Sequence, residues 1–120
     1  MQLTRAQLEA FDRDGFLVFP ELLAQEEIDI LLSETERVSR VEADGIFREG
    51  DDQQAKSLFR LHEPDGATAS PAFRQLARSP RCLGLAQQVL ADDALYLHHS
   101  KVNMKAAIQG STWPWHQDFM

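Results

Sequence analysis

The segment from Ala94 to Lys105, Ala-Leu-Tyr-Leu-His-His-Ser-Lys-Val-Asn-Met-Lys, constrains the fold most, because it alternates better than it clusters. A period of two marks a strand, whose successive side chains point to opposite faces. One face would carry Leu95, Leu97, His99, Lys101 and Asn103, and the other Tyr96, His98, Ser100, Val102 and Met104. Neither set is purely apolar. The mixed character suits a strand bordering a polar cavity. Gly110, Ser111 and Thr112 then mark a turn, and a second strand is expected around Trp115 to Phe119.

Upstream the patterning is mainly helical. Thr4 followed by Gln7 reads as a capping box, in which the hydroxyl satisfies an orphan amide of the first turn, so a short helix starts there. Gly15 breaks it, and Phe16-Leu17-Val18-Phe19 is expected to be a short buried strand ended by Pro20. Leu23, Ile28, Leu31, Leu32, Thr35 and Val38 recur at helical spacing through Val41, with Glu26, Glu27, Asp29, Glu34 and Glu36 mainly on the other faces. From Glu42 to Ser70 the pattern is lost among Gly45, Gly50, Pro64 and Gly66, which predicts mostly loop, with a short strand at Ser57 to Leu61. Ser70-Pro71 and Ser79-Pro80 each pair an N-cap residue with proline at the first helical position, predicting helices over 71–77 and 80–90. The class is α+β, with helices packed on a sheet.

A chain of 120 residues supports one core. Hydrophobic content of 43% with 26% charged residues belongs to a compact globular chain and is too apolar for a disordered one. Net charge of −7 disfavours nucleic acid and anionic membrane surfaces, leaving a small molecule as the expected partner. Cys82 is the only cysteine, so an internal disulfide and a thiolate metal cluster are excluded. With no signal-like start and no apolar stretch of membrane-spanning length, a cytoplasmic location is expected.

The chemistry concentrates in Trp113-Pro114-Trp115-His116-Gln117-Asp118-Phe119. On a strand, His116 and Asp118 project to one face while Gln117 points away, so imidazole and carboxylate can converge on one ion. Imidazole with carboxylate suits Fe(II), Mn or Zn, and Fe(II) when cis positions stay open for oxygen and substrate. The tripeptide alone equally describes a histidine hydrogen-bonded to a nearby aspartate, the commoner arrangement. Trp113, Trp115 and Phe119 add the aromatic wall that a small pocket with a few polar groups needs. His99, sharing its expected face with Lys101 and Asn103, is a pocket candidate. His98 is expected on the opposite face, and His62 at the surface.

Trp115-His116-Gln117-Asp118-Phe119, preceded by His98-His99-Ser100-Lys101-Val102-Asn103-Met104-Lys105, resembles the phytanoyl-CoA dioxygenase family of Fe(II)/2-oxoglutarate oxygenases, and its ectoine-hydroxylase-like branch most. The resemblance extends through Gly15-Phe16-Leu17-Val18, Lys56-Ser57-Leu58-Phe59 with His62, and Ser79-Pro80-Arg81. It implies that His116 and Asp118 are iron ligands, that Asn103 contacts 2-oxoglutarate, and that Trp113 lines that pocket. An aspartate at position 118 implies hydroxylation, since related halogenases leave that place for chloride. The implied reaction splits 2-oxoglutarate to succinate and carbon dioxide while oxygen enters an unactivated carbon–hydrogen bond of a small organic substrate.

The departures are as informative. Trp113, Gln117 and Met120 replace the Phe, Ser and Glu of authentic ectoine hydroxylases, which argues against ectoine as substrate. His99 replaces a Gln and Lys56 an Arg. The implied fold is a double-stranded β-helix, or jelly roll. Residues 1–93 would form its helical layer and active-site loop, and 94–120 its first strands with the His-x-Asp motif, one incomplete domain. The family's second metal histidine and the arginine facing 2-oxoglutarate fall downstream of the motif, so the chain alone is expected to be inactive and to self-associate through an exposed strand edge. Two further readings stay open: a truncated, non-enzymatic chain acting as a binding or interaction module, and a longer hydrolytic Zn(II) protein.

Overall fold

The computed structural model describes residues 1–105, 112 and 114–116. Four helices, α1 (Arg5–Asp14), α2 (Gln25–Ser39), α3 (Pro71–Arg78) and α4 (Pro80–Leu90), accompany three strands, β1 (Ile46–Glu49), β2 (Gln54–Phe59) and β3 (Lys101–Asn103). The strands form one antiparallel sheet in the order β1-β2-β3.

Local chemistry sets the helix ends. Thr4 Oγ1 accepts from Gln7 N at 3.2 Å and Gln7 Oε1 accepts from Thr4 N at 2.9 Å, while Gly15, at φ +80°, closes α1 by donating to Phe11 O. Ser70 and Ser79 cap α3 and α4, each followed by its proline. Ala24 has no side-chain acceptor, so α2 starts differently: Glu27 reaches back to accept from Ala24 N at 2.8 Å. The last carbonyls of α2 are served from outside, with Arg48 donating to Ser39 O at 3.0 Å and Val41 O at 2.9 Å.

Register makes the two faces of the sheet unlike. Ile46 pairs with Leu58 and Leu58 with Val102, placing these three side chains on one face. There Leu58 joins Val38 and Leu61 in a fully buried core, flanked by Ile46, Ala55, Phe73, Val102 and Met104. The opposite face carries Phe47, Ser57, Phe59, Lys101 and Asn103.

Two ion-pair clusters bind the helices to this core. Glu34 accepts both Nε and a terminal nitrogen of Arg37 at 2.9 Å and the Ser70 hydroxyl at 2.5 Å, and Arg37 also donates to Ala69 O at 3.1 Å. These bonds, from Arg37 first, hold the Glu34 carboxyl down at about 2. Glu27 pairs with Arg81, which also donates to Leu22 O at 3.0 Å, and Arg81 holds that carboxyl to about 2 as well. The starts of α2 and α4 are thereby joined.

Three expectations need correction. The stretch 42–70 contains a hairpin, β1 to β2, turned by Gly50 at φ +76° and Gln53 at φ +52°, and β2 runs Gln54–Phe59 rather than 57–61. A bulge between Phe47 and Arg48 breaks the alternation that would have revealed β1. Phe16 to Phe19 is neither a strand nor buried, since Phe16 is 64% and Val18 73% exposed. Its backbone groups have no hydrogen-bond partner among the described residues. Finally, only Lys101–Asn103 of the segment 94–105 is paired. β2 ends at Phe59 because Arg60 turns away at φ +65°, leaving its N–H on Ser100 O at 3.2 Å as the last link and, among the described residues, no strand beside 94–99. The second strand expected around 115–119 falls largely outside the described residues; Trp115 and His116 are in no strand.

Candidate active site

The uncovered face of the sheet presents the chemistry. Asn103, exposed at the end of β3, lies opposite Ser57, whose buried hydroxyl donates to Asn103 Oδ1 at 3.2 Å. Committing the oxygen this way turns the amide nitrogen into the group Asn103 offers outward, a donor suited to a carboxylate or carbonyl oxygen. Lys101, two residues earlier on this face, holds its ammonium 5.9 Å from the Phe59 ring centroid, and Phe59 meets Phe47 edge to face at 5.4 Å. Cationic and amide donors thus stand on an aromatic floor.

Phe47 and Phe59 also line a cleft of about 520 Å³ with Asp44, Arg60, His62 and His99. His99, expected as a pocket candidate, lines this cleft. His98 lines the same cleft, its ring 5.3 Å from that of His99, because 94–100 is not in a strand and does not enforce the alternation expected of one. His62 is not a surface histidine either. Its N–H donates to Ser100 Oγ at 3.2 Å, and its Nδ1 lies 2.8 Å from the same oxygen, tying the loop after β2 to the residue before β3. Ser57, Phe47 and Ser100 were missed as contributors; the serine directly before the apolar pair Leu58-Phe59 was the available signal for the first.

His116 is exposed, with Nδ1 2.8 Å from Pro114 O. A carbonyl only accepts, so in the neutral ring Nδ1 carries the proton and Nε2 the lone pair. Metal-ligating histidines have this polarity, one nitrogen donating to a carbonyl or carboxylate and the other facing the ion. The donor chemistry at His116 therefore fits a divalent transition metal. Asp118 and Trp113 lie outside the described residues, which bring together no group of three ligating side chains.

The chain matches the family described as phytanoyl-CoA dioxygenase over residues 11–120. It is 34% identical over 121 residues to an ectoine dioxygenase of Bordetella bronchiseptica, covering 98% of this chain and 37% of that protein. It is 35% identical over 109 residues to the L-proline trans-4-hydroxylase of Streptomyces griseoviridis, covering 91% and 38%. The crystal structure of EctD from S. alaskensis with bound Fe superposes with a TM-score of 0.81 at 28% identity, covering 95% of this chain and 40% of that one. The form with 2-oxoglutarate and 5-hydroxyectoine superposes with a TM-score of 0.77. The chain spans less than half the length of these relatives.

Proposed function

The chain belongs to the phytanoyl-CoA dioxygenase family, and from that premise we propose that it forms part of an Fe(II)- and 2-oxoglutarate-dependent oxygenase that hydroxylates a small organic molecule. His116 and Asp118 are assigned as two iron ligands, Asn103 and Trp113 as contacts to 2-oxoglutarate, and His99 as a wall of the same pocket. The jelly roll belongs to this proposal: the sheet would be its opening portion, with Asn103 and Lys101 facing the interior. The observation that carries the reading is the orientation of the Asn103 amide, which Ser57 directs outward from the open face of the sheet; the Pro114 carbonyl separately leaves the His116 lone pair on Nε2.

When bound, iron and 2-oxoglutarate supply the oxidative chemistry: with oxygen, the cosubstrate loses carbon dioxide to become succinate and the substrate gains a hydroxyl. The protein's part is to hold and orient. Asn103 Nδ2 would donate to an oxygen of the cosubstrate, Lys101 would contribute positive charge beside it, and the Phe47–Phe59 pair would form the aromatic floor of the cleft. Identity alone does not choose the substrate, since relatives named for ectoine and for L-proline match at 34% and 35%. The replaced residues Trp113, Gln117 and Met120 weigh against ectoine.

The third ligand and the arginine for the distal carboxylate are assigned to sequence outside these 120 residues, so the chain alone should bind iron weakly and turn over no 2-oxoglutarate. Anaerobic Fe(II) titration of the chain tests the ligands: His116→Ala with Asp118→Ala abolishes the binding that remains. Unchanged binding in that double variant, or succinate production by the chain itself, overturns the assignment. The unpaired backbone of Phe16–Phe19 and the exposed Ile30 and Leu32 favour self-association. Sedimentation showing monomer at high concentration would remove that part of the reading.

A further inference from the structure

A second cleft, of about 720 Å³, opens between α3, α4 and the segment 95–97. Its walls are mostly apolar, from Leu83 and Leu90 on α4 and Leu95 and Leu97 across from them. One helix breaks this character. Arg74 and Arg78, a single turn apart on α3, both line the cleft.

Their electrostatic situation is unusual for this chain. Every other arginine is ion-paired: Arg5 to Glu9, Arg13 to Asp14, Arg37 to Glu34, Arg40 to Glu36, Arg48 to Glu42, Arg60 to Glu63 and Arg81 to Glu27. The guanidinium groups of Arg74 and Arg78 have neither hydrogen bond nor ion pair among the described residues. Acidic residues are plentiful in a chain of net charge −7, yet among the described residues none pairs with these two cations. Two adjacent guanidiniums present forked donors to a carboxylate or phosphate, and an apolar trough beside them accommodates the body of the same molecule. The volume falls within the range of small-molecule sites.

We propose that this cleft binds an amphipathic organic anion, with the charged head on Arg74 and Arg78 and the apolar body along Leu83, Leu90, Leu95 and Leu97. The occupant is a small molecule because the two cations ask for an anion and the volume is that of a small-molecule site; His62 lines both this cleft and the one beside Phe47 and Phe59. Cys82, the only cysteine of the chain, lines the cleft and reports on its occupancy.

Decanoate is the probe, decanol its uncharged counterpart, and alkylation of Cys82 by a maleimide the readout that localises binding. Decanoate should slow alkylation and bind, by calorimetry, about tenfold more tightly than decanol, the scale of one charge-assisted bidentate contact. Arg74→Gln with Arg78→Gln should weaken decanoate about tenfold, leave decanol within about twofold, and be rescued by the paired Lys substitutions, which restore charge without the fork. Equal affinity for decanoate and decanol overturns the proposal. So does unchanged decanoate binding in the Gln variant with its helical circular dichroism intact, or binding that leaves Cys82 reactivity unaltered. Alkylation that slows with protein concentration alone, decanoate adding nothing, gives the cleft to a second copy of the chain and overturns it too. Because the test reads neither iron nor 2-oxoglutarate, it stands apart from the oxygenase assignment.

Discussion

The two faces of one three-stranded sheet obey different rules. On the face bearing Leu58, every neighbour is an apolar side chain or a polar group with a partner: Val38, Leu61 and Phe73 pack, while Glu34, Arg37 and Ser70 satisfy one another at the rim. On the face bearing Asn103, aromatic rings and donors stand open, although Phe47 is 60% exposed and would gain from being covered. A residue on the first face therefore contributes to stability, and one on the second is left to the binding role proposed for it. The lesson is that exposure of apolar rings beside oriented donors, not exposure by itself, marks the working side.

Substitutions test this division directly. Leu58→Ala should cost about 2–5 kcal/mol, because the residue is fully buried against side chains from α2 and the loop before α3. Urea denaturation gives the value. A loss of that size from Asn103→Ala, for which less than about 1 kcal/mol is expected at an exposed position, would erase the distinction between the faces.

Acid separates the faces next. Glu34 and Glu27 are held at about 2 against an ordinary 4.5, so the unfolded chain takes up protons first. Their stabilisation is complete above about 4.5 and is lost as pH falls toward 2. Glu34→Gln should cost about 1–2 kcal/mol at neutral pH, after allowance for screening, and flatten the acid limb of the stability profile. An unchanged limb would mean that the Glu34–Arg37–Ser70 cluster does not secure the covered face.

Ser57→Ala sharpens the picture of the open face. Removing the hydroxyl frees Asn103 to rotate, with an expected stability change of about 1 kcal/mol. Asn103 side-chain amide resonances should lose their fixed orientation in the variant; retained orientation would assign it to another group.

The smallest effect concerns the cleft. Arg60 sits at φ +65°, a conformation that costs an L-residue about 1 kcal/mol, while its contact with Glu63 is long at 3.9 Å. Arg60→Gly should stabilise by up to about 1 kcal/mol, and thermal unfolding reads the gain. A loss instead would show that the arginine side chain itself supports the cleft.

Much of this was legible in the amino-acid order wherever the information was local. Thr4 with Gln7, Ser70 with Pro71 and Ser79 with Pro80 each satisfy backbone groups within one turn, so the starts of α1, α3 and α4 could be read directly. The β1 hairpin could not, because its bulge destroys the period and its stability comes from Leu58 packing against distant Val38. Nor could the joint position of His98 and His99 in one cleft, which depends on Arg60 ending β2. The family resemblance and the His116–Asp118 pair came from motif chemistry.

By itself, the sequence determined the starts of α1, α3 and α4 and the family, since capping and motif chemistry act over a few residues. Only the tertiary structure decided which face of the sheet stays open, that Ser57 orients Asn103, and that Arg74 and Arg78 have no acidic partner among the described residues. Those outcomes rest on strand register and on the distances between residues remote in the chain, which no local pattern encodes.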